Sequence, residues 1–170
     1  MKVVVDADVL ELLLRPTQAA APRDPATGEE VVAWRARLGE LVARLEEDRS
    51  SIVIPTPVLA ALLVRAGRAT DALLRRIEAR RAFQVQAFDI RAAVEAAAMA
   101  RDGGDAGAAS AASERARQVV AIARVNGAAR IYGDDPAVRA LGRRHGFDVV
   151  GLADLPLPAQ GRLDLGDPTG

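Results

Sequence analysis

Apolar positions along the chain follow two rhythms. Short runs of β-branched or aromatic residues, Val3-Val4-Val5, Ile52-Val53-Ile54, Phe83-Gln84-Val85, Arg130-Ile131-Tyr132 and Phe147-Asp148-Val149-Val150, alternate with longer stretches in which Val, Leu and Ala return every three or four residues. Short runs of this kind read as buried strands and the longer stretches as amphipathic helices. Val9, Leu10, Leu12 and Leu13 predict a short helix closed before Pro16, and 16–28, with its prolines and Gly28, a loop. Val31, Val32, Trp34, Leu38, Leu41, Val42 and Leu45 predict a helix over 29–47, with Glu29 and Glu30 at its positive N-terminal end. Pro57 sits in the first turn of a helix ending near Gly67, and a further helix spans 70–81. Asp89 caps an alanine-rich helix to about Arg101, and 102–112 reads as a mobile Gly/Ala/Ser loop. Ser113 is expected to cap the next helix, whose stripe Val119, Val120, Ile122, Ala123 and Val125 stops at Gly127; a last helix covers 136–145.

Strands that alternate with helices imply right-handed crossovers and a parallel sheet covered on both faces. The expected fold is therefore an α/β, three-layer α/β/α sandwich around a mostly parallel, twisted sheet of about five strands, with Phe83–Val85 at an edge. A single domain over 1–158 and a disordered Pro/Gly-rich tail over 159–170 are expected. With 170 residues, 50% of them apolar and only five aromatic, the chain has enough small aliphatic side chains for one core.

Charge and cysteine content narrow the chemistry. The 23 basic and 23 acidic residues balance, so net charge offers no argument for a nucleic-acid or membrane partner. Without cysteine there is neither a disulfide framework nor a thiolate metal site. No apolar run approaches the roughly 20 residues that span a bilayer, and the N-terminus turns acidic too early for a signal peptide. A cytoplasmic protein is expected.

In parallel sheets of this type ligands bind beyond the carboxyl ends of the strands. Asp6 and Asp8 follow the first strand there, and Asp134 and Asp135 follow the strand at 130–132. If those strands are neighbours, the four carboxylates converge. Clustered carboxylates raise one another's pKa unless a cation neutralises them, and an all-oxygen cluster suits Mg²⁺ or Mn²⁺. The competing reading makes Asp6 and Asp134 or Asp135 helix N-caps, with Asp135-Pro136 as a cap followed by Pro at the first helical position.

Five segments in order resemble the PIN-domain family of small metal-dependent ribonucleases, which includes the toxins of bacterial toxin–antitoxin pairs. They are Val3-Val-Val-Asp6-Ala-Asp8-Val-Leu10, Ile52-Val-Ile-Pro-Thr-Pro-Val-Leu-Ala60, Gln118-Val-Val-Ala-Ile-Ala-Arg-Val-Asn-Gly127, Ile131-Tyr-Gly-Asp-Asp135 and Gly151-Leu-Ala-Asp-Leu-Pro-Leu-Pro158. The resemblance implies a PIN-like fold, Mg²⁺ or Mn²⁺ held on about four acids, hydrolysis of RNA by metal-activated water, an antitoxin-like protein partner and a homodimer. Asp6 and Asp135 match the first and last acids and are the candidate catalytic residues, with Asp8 and Asp134 as additional metal ligands. The family's second and third acids fall on Ala61 and Ala116, its Thr or Ser on Gly133, and a further Asp on Ala137. Alanine has no oxygen to offer a cation, so weak or absent metal binding and weak or absent nuclease activity are expected.

Two other readings stand beside this one. A non-catalytic PIN scaffold would dimerise, hold an antitoxin or bind RNA without cutting it; Arg115, Arg117, Arg124, Arg130, Arg139, Arg143 and Arg144 lie near the site for phosphate contacts, against the plainer role of a solvated face. Alternatively, Asp6-Ala-Asp8 resembles the nucleophile motif of haloacid-dehalogenase-type phosphatases, although the lysine such enzymes use is missing: Lys2 is the only lysine. His145, before Gly146, reads as a favourable charge at a helix C-terminus, and Trp34 and Tyr132 as packing residues.

Overall fold

The computed structural model describes residues 1–102 and 110–157. Five strands form one sheet in the order β3-β2-β1-β4-β5, every neighbouring pair parallel: β1 (Lys2–Val5), β2 (Ser51–Pro55), β3 (Phe83–Gln86), β4 (Arg130–Tyr132) and β5 (Asp148–Val150). Among the described residues seven α-helices connect them: α1 (Ala7–Leu14), α2 (Trp34–Glu47), α3 (Thr56–Ala66), α4 (Thr70–Glu78), α5 (Ile90–Asp102), α6 (Ala111–Val125) and α7 (Pro136–Arg144). Helices α5, α6 and α7 pack in a row, while α1, α3 and α4 pack on one another. With right-handed crossovers, chain excursions toward β3 and those toward β5 must cover opposite faces. The result is the three-layer sandwich expected from the alternating pattern, with β3 at an edge.

The central strands are buried on both faces. Val3, Val4, Val5, Val53, Ile54 and Ile131 have no accessible surface, which is why they read as unbroken apolar runs. Trp34 and Tyr132 are buried in the same core. The apolar stripe of α6, including Val119, Val120, Ile122 and Ala123, lies beneath the sheet and is fully covered.

Three helix boundaries differ from expectation by more than a residue. Helix α4 ends at Glu78 and not at 81, because Arg80 N turns back to Ile77 O and leads the chain into β3. Helix α2 begins at Trp34 and not at Glu29, because residues 22–31 close a small loop of their own. Val31 N donates to Pro22 O, Asp24 N to Glu29 O, and Gly28 turns with φ 74°. Ala33 then adopts φ 53°, a left-handed conformation that no helix passes through. Val31 is buried from this loop and mimics the helical period without belonging to the helix, while Val32 points to solvent. Helix α6 starts at Ala111 because Ser110, not Ser113, is its N-cap, its Oγ accepting from Ser113 N at 3.2 Å. Most of the loop expected over 102–112, and the tail expected over 159–170, lie outside the described residues.

Among the described residues no helix is long and apolar enough to cross a membrane.

Candidate functional site

Chain direction across the sheet reverses between β1 and β4. From β1 the chain moves outward through β2 to β3, then crosses back to β4 and continues to β5. Such a switch point opens a crevice at the carboxyl ends of the two strands. Val5 pairs with Tyr132 there, and Asp6 N donates to Tyr132 O at 3.0 Å. The four aspartates therefore do stand on adjacent strand ends.

Asp6 is the centre of the cluster and is buried, with 2% of its surface accessible. Its Oδ1 accepts from Val9 N at 2.9 Å, which caps α1. Its Oδ2 accepts from Asp134 N at 2.7 Å and Asp135 N at 2.9 Å. An ionised carboxylate has about four acceptor positions; three here are taken by backbone N–H groups. Burial pushes the Asp6 carboxyl up to about 7, against the pull of these three donors and with a smaller upward push from the Asp8 charge.

Gly133 makes this arrangement possible. A Cβ at that position would lie 2.6 Å from Asp6 Cγ. The family residue expected there, Thr or Ser, would collide with the Asp6 carboxyl as it is placed. Glycine thus lets the β4–α7 turn close over Asp6 and present two successive N–H groups to it.

The other three aspartates are engaged elsewhere. Asp135 is the N-cap of α7; its Oδ1 accepts from Ala137 N at 2.9 Å and Val138 N at 3.2 Å, and its Oδ2 lies 4.0 Å from an Arg115 guanidinium nitrogen. Asp134 is buried, accepts from Leu152 N at 3.2 Å and pairs with Arg139 at 3.2 Å. Burial raises its pKa, against the Leu152 N–H and the Arg139 charge. Arg139 also pairs with Asp154 at 3.0 Å, whose carboxylate accepts from Gly151 N. A side chain at Gly151 would collide with the Arg139 guanidinium. Asp8 is half-exposed and pairs with Arg65 of α3 at 2.7 Å, and Arg65 reaches Glu11 at 3.3 Å as well.

A Mg²⁺ or Mn²⁺ site needs several carboxylate oxygens with free lone pairs converging on one point. Ala61 on α3 and Ala116, buried on α6, supply none. The remaining acids are held apart by N–H donors and guanidinium groups of the chain itself, and among the described residues no three Asp, Glu, His or Cys side chains form a group that would hold a cation. The donor set in this arrangement does not fit such an ion. As a nucleophile toward phosphate, Asp6 fares no better, since both its oxygens face backbone N–H groups in a buried pocket. The cap and the cluster, opposed as alternatives at the level of sequence, coexist: Asp6 and Asp135 are caps, and they are adjacent.

Four of the arginines singled out for phosphate contact are paired within the chain: Arg115 with Asp135, Arg124 with Glu95, Arg130 with Asp148 and Arg139 with Asp134 and Asp154. His145 stands at the C-cap of α7, and its Nε2 is buried without a hydrogen-bond partner among the described residues. Sequence reasoning missed Asp154 and Arg65. Asp154 was within reach of a topological argument, since the segment after β5 must emerge beside β4 and its turn. Arg65 carries no local signal, because α3 and α1 meet only in the folded chain.

No family model matches the sequence, and no curated protein matches it by sequence. Solved structures do match in fold. The structure of VapBC2 from Rickettsia felis bound to a DNA fragment from their promoter aligns with a TM-score of 0.58 at 8% identity, over 89% of this chain and 98% of the other. The structure of FitAB bound to an IR36 DNA fragment aligns with a TM-score of 0.55 at 11% identity, over 91% and 97%. At this identity the likeness speaks to the fold alone, and that fold is PIN-like.

Proposed function

We propose that this PIN-fold chain works by binding and not by cutting RNA, as a scaffold for an antitoxin-like protein partner. The observation that carries the reading is the state of Asp6. The carboxylate that would anchor a catalytic cation is instead the acceptor for three backbone N–H groups that join β1, α1, β4 and α7. With Ala61 and Ala116 in place of two further acids, a metal-activated hydroxide has no cation to form on. The resemblance of the sequence to toxin-type PIN domains, together with the fold shared with VapBC2 and FitAB, supports an antitoxin-like partner. Self-association belongs to the same reading. Ile90 and Val94 on α5 are 83% and 65% exposed, and with Ala93 and Ala97 they form an apolar stripe along one helix face.

The test is a ribonuclease assay of the purified chain on structured RNA with millimolar Mn²⁺ or Mg²⁺, alongside a thermal shift in the same buffers. No cleavage above a chelator control, and a shift of under a degree or so, are expected. Mn²⁺-dependent cleavage that Asp135→Asn abolishes would overturn the reading. Introducing Ala61→Glu with Ala116→Asp is the positive control, and it should create a measurable metal-dependent rise in Tm. The partner is tested by asking whether a small antitoxin-like protein is encoded beside this chain and co-expressing the two; a stable complex is expected on gel filtration, and the lack of such a neighbour or separate elution counts against it.

A further inference from the structure

The end of the sheet opposite the aspartates holds a cavity that none of the four aspartates lines. It has a volume of about 350 Å³ and lies where α2 turns into β2 and α4 turns into β3. Its walls are apolar: Leu13, Val42, Leu45, Ile52 and Phe83. Its rim carries three guanidinium groups, Arg49, Arg80 and Arg81. Among the described residues none of the three has a carboxylate within 4.0 Å, although most arginines around the aspartate cluster are paired. Arg80 lies over the Phe83 ring, 5.6 Å from its centroid, which holds that charge at the boundary between rim and wall. Among the described residues Glu46 is the one acid lining the cavity.

Two further observations point to a ligand. Ser50 lines the cavity, is 5% exposed, and its Oγ has no hydrogen-bond partner among the described residues. A buried hydroxyl without a partner is uncommon and calls for an explanation. Arg49 sits at φ 48°, the left-handed position after α2 where glycine is the usual residue. Placing an arginine there strains the backbone and brings a charge to the rim, and such strain is concentrated at binding sites. A second cavity of about 300 Å³, lined by Leu12, Leu38 and Pro16, adjoins the first through Leu13, Val42 and Arg80, which line both.

We infer that this cavity binds a small anionic amphiphile, an apolar body of medium length ending in a carboxylate. The aliphatic and aromatic walls take the body, and the adjoining cavity gives it room to extend. The carboxylate meets the three unpaired guanidinium groups, which suit a planar anion by their paired N–H geometry. Volume and mostly apolar walls match a small-molecule site. The arrangement is independent of whether the chain cuts RNA, since it lies at the amino ends of β2 and β3 and shares no residue with the aspartate cluster.

The experiment is titration calorimetry of the full chain with decanoate, with decanol, acetate and phosphatidylglycerol vesicles as comparisons. Saturable one-to-one binding of decanoate is expected, with decanol and acetate at least tenfold weaker. Arg49→Gly is the informative variant, because it removes one guanidinium and relieves the left-handed strain together. It should keep or raise Tm while weakening decanoate at least fivefold. Arg81→Met should weaken binding similarly and leave Tm unchanged. The inference is overturned if decanoate does not saturate, if decanol binds as well as decanoate, or if both arginine variants bind as the parent does. Association with the vesicles without binding of free decanoate overturns it too, since a surface patch and not a cavity would then be responsible.

Discussion

Replacing Asp6 by alanine separates a structural carboxylate from one reserved for a cation. Asp6→Ala leaves three N–H groups without their acceptor: Val9 N at the start of α1 and the successive donors of Asp134 and Asp135. A buried donor stripped of its partner costs about 1–3 kcal/mol. Losing an N-cap falls within that range, at about 0.5–2 kcal/mol. Water entering the vacated space, and release from burying the carboxyl, offset part of the sum. A net loss of about 3–5 kcal/mol is the outcome, near the upper limit for a single substitution. For a chain of this size that corresponds to a fall in Tm of roughly 6–20 °C. Urea unfolding followed by circular dichroism at pH 6, with and without 5 mM (about 50-fold or more over protein) Mg²⁺, measures it, and the loss should be the same in both buffers. A free metal-binding carboxylate behaves in the opposite way: its removal relieves charge repulsion in the metal-free protein and abolishes stabilisation by Mg²⁺. A loss below about 1 kcal/mol, or one that appears only with Mg²⁺, would refute the structural role assigned to Asp6.

Gly133→Ala should destabilise the parent by about 1–3 kcal/mol, because the new Cβ overlaps the Asp6 carboxyl. Most of that cost should vanish in the Asp6→Ala background, and a double-mutant cycle with coupling under about 0.5 kcal/mol would contradict the contact. Stability should also depend on pH in a stated direction. The folded Asp6 carboxyl titrates near 7 against 3.8 when unexposed to the fold, so the folded state keeps its proton longer. Its contribution is fully present below pH 4 and is lost as pH rises to 7, at up to about 1.4 kcal/mol per pH unit. Subtracting the Asp6→Ala profile isolates the effect; a difference that is flat between pH 4 and 7, or that rises, is incompatible with a buried carboxyl held near 7.

The cluster also shows how crowded acids are compensated by groups of the chain itself. Four acids crowded at one sheet end would repel one another. Here the repulsion is met by Arg65 on Asp8, by Arg139 bridging Asp134 and Asp154, and by backbone N–H groups on Asp6 and Asp135. The exposed Arg65 pair contributes little, on the order of a few tenths of a kcal/mol. Arg139 is the more consequential, because Asp134 is buried and would otherwise be an uncompensated charge.

The local pattern of the chain was enough to determine its elements, and their order was enough for the layers. Val3–Val5 and Ile52–Ile54 announced central strands because residues buried on both faces must be apolar without interruption. The meeting of the aspartates followed too, since a parallel sheet opens its crevice at the carboxyl ends and Asp6, Asp134 and Asp135 directly follow strands. Ala61 and Ala116 were visible as missing oxygens once the resemblance to PIN domains was recognised. Tertiary structure alone decided which groups the aspartates engage. Which groups reach Asp6 depends on β1 and β4 being neighbours and on Gly133 letting the turn close, contacts between residues more than a hundred positions apart. It also decided that Val31 is buried from a loop and not from α2, because a helical period records burial and not backbone conformation. The partners of Asp8 and Asp134, and the gathering of three arginines around a cavity at the far end of the sheet, have no local sequence signal. Charge pairing is set by which surfaces the packed helices bring together, and that is a property of the fold and not of any segment within it.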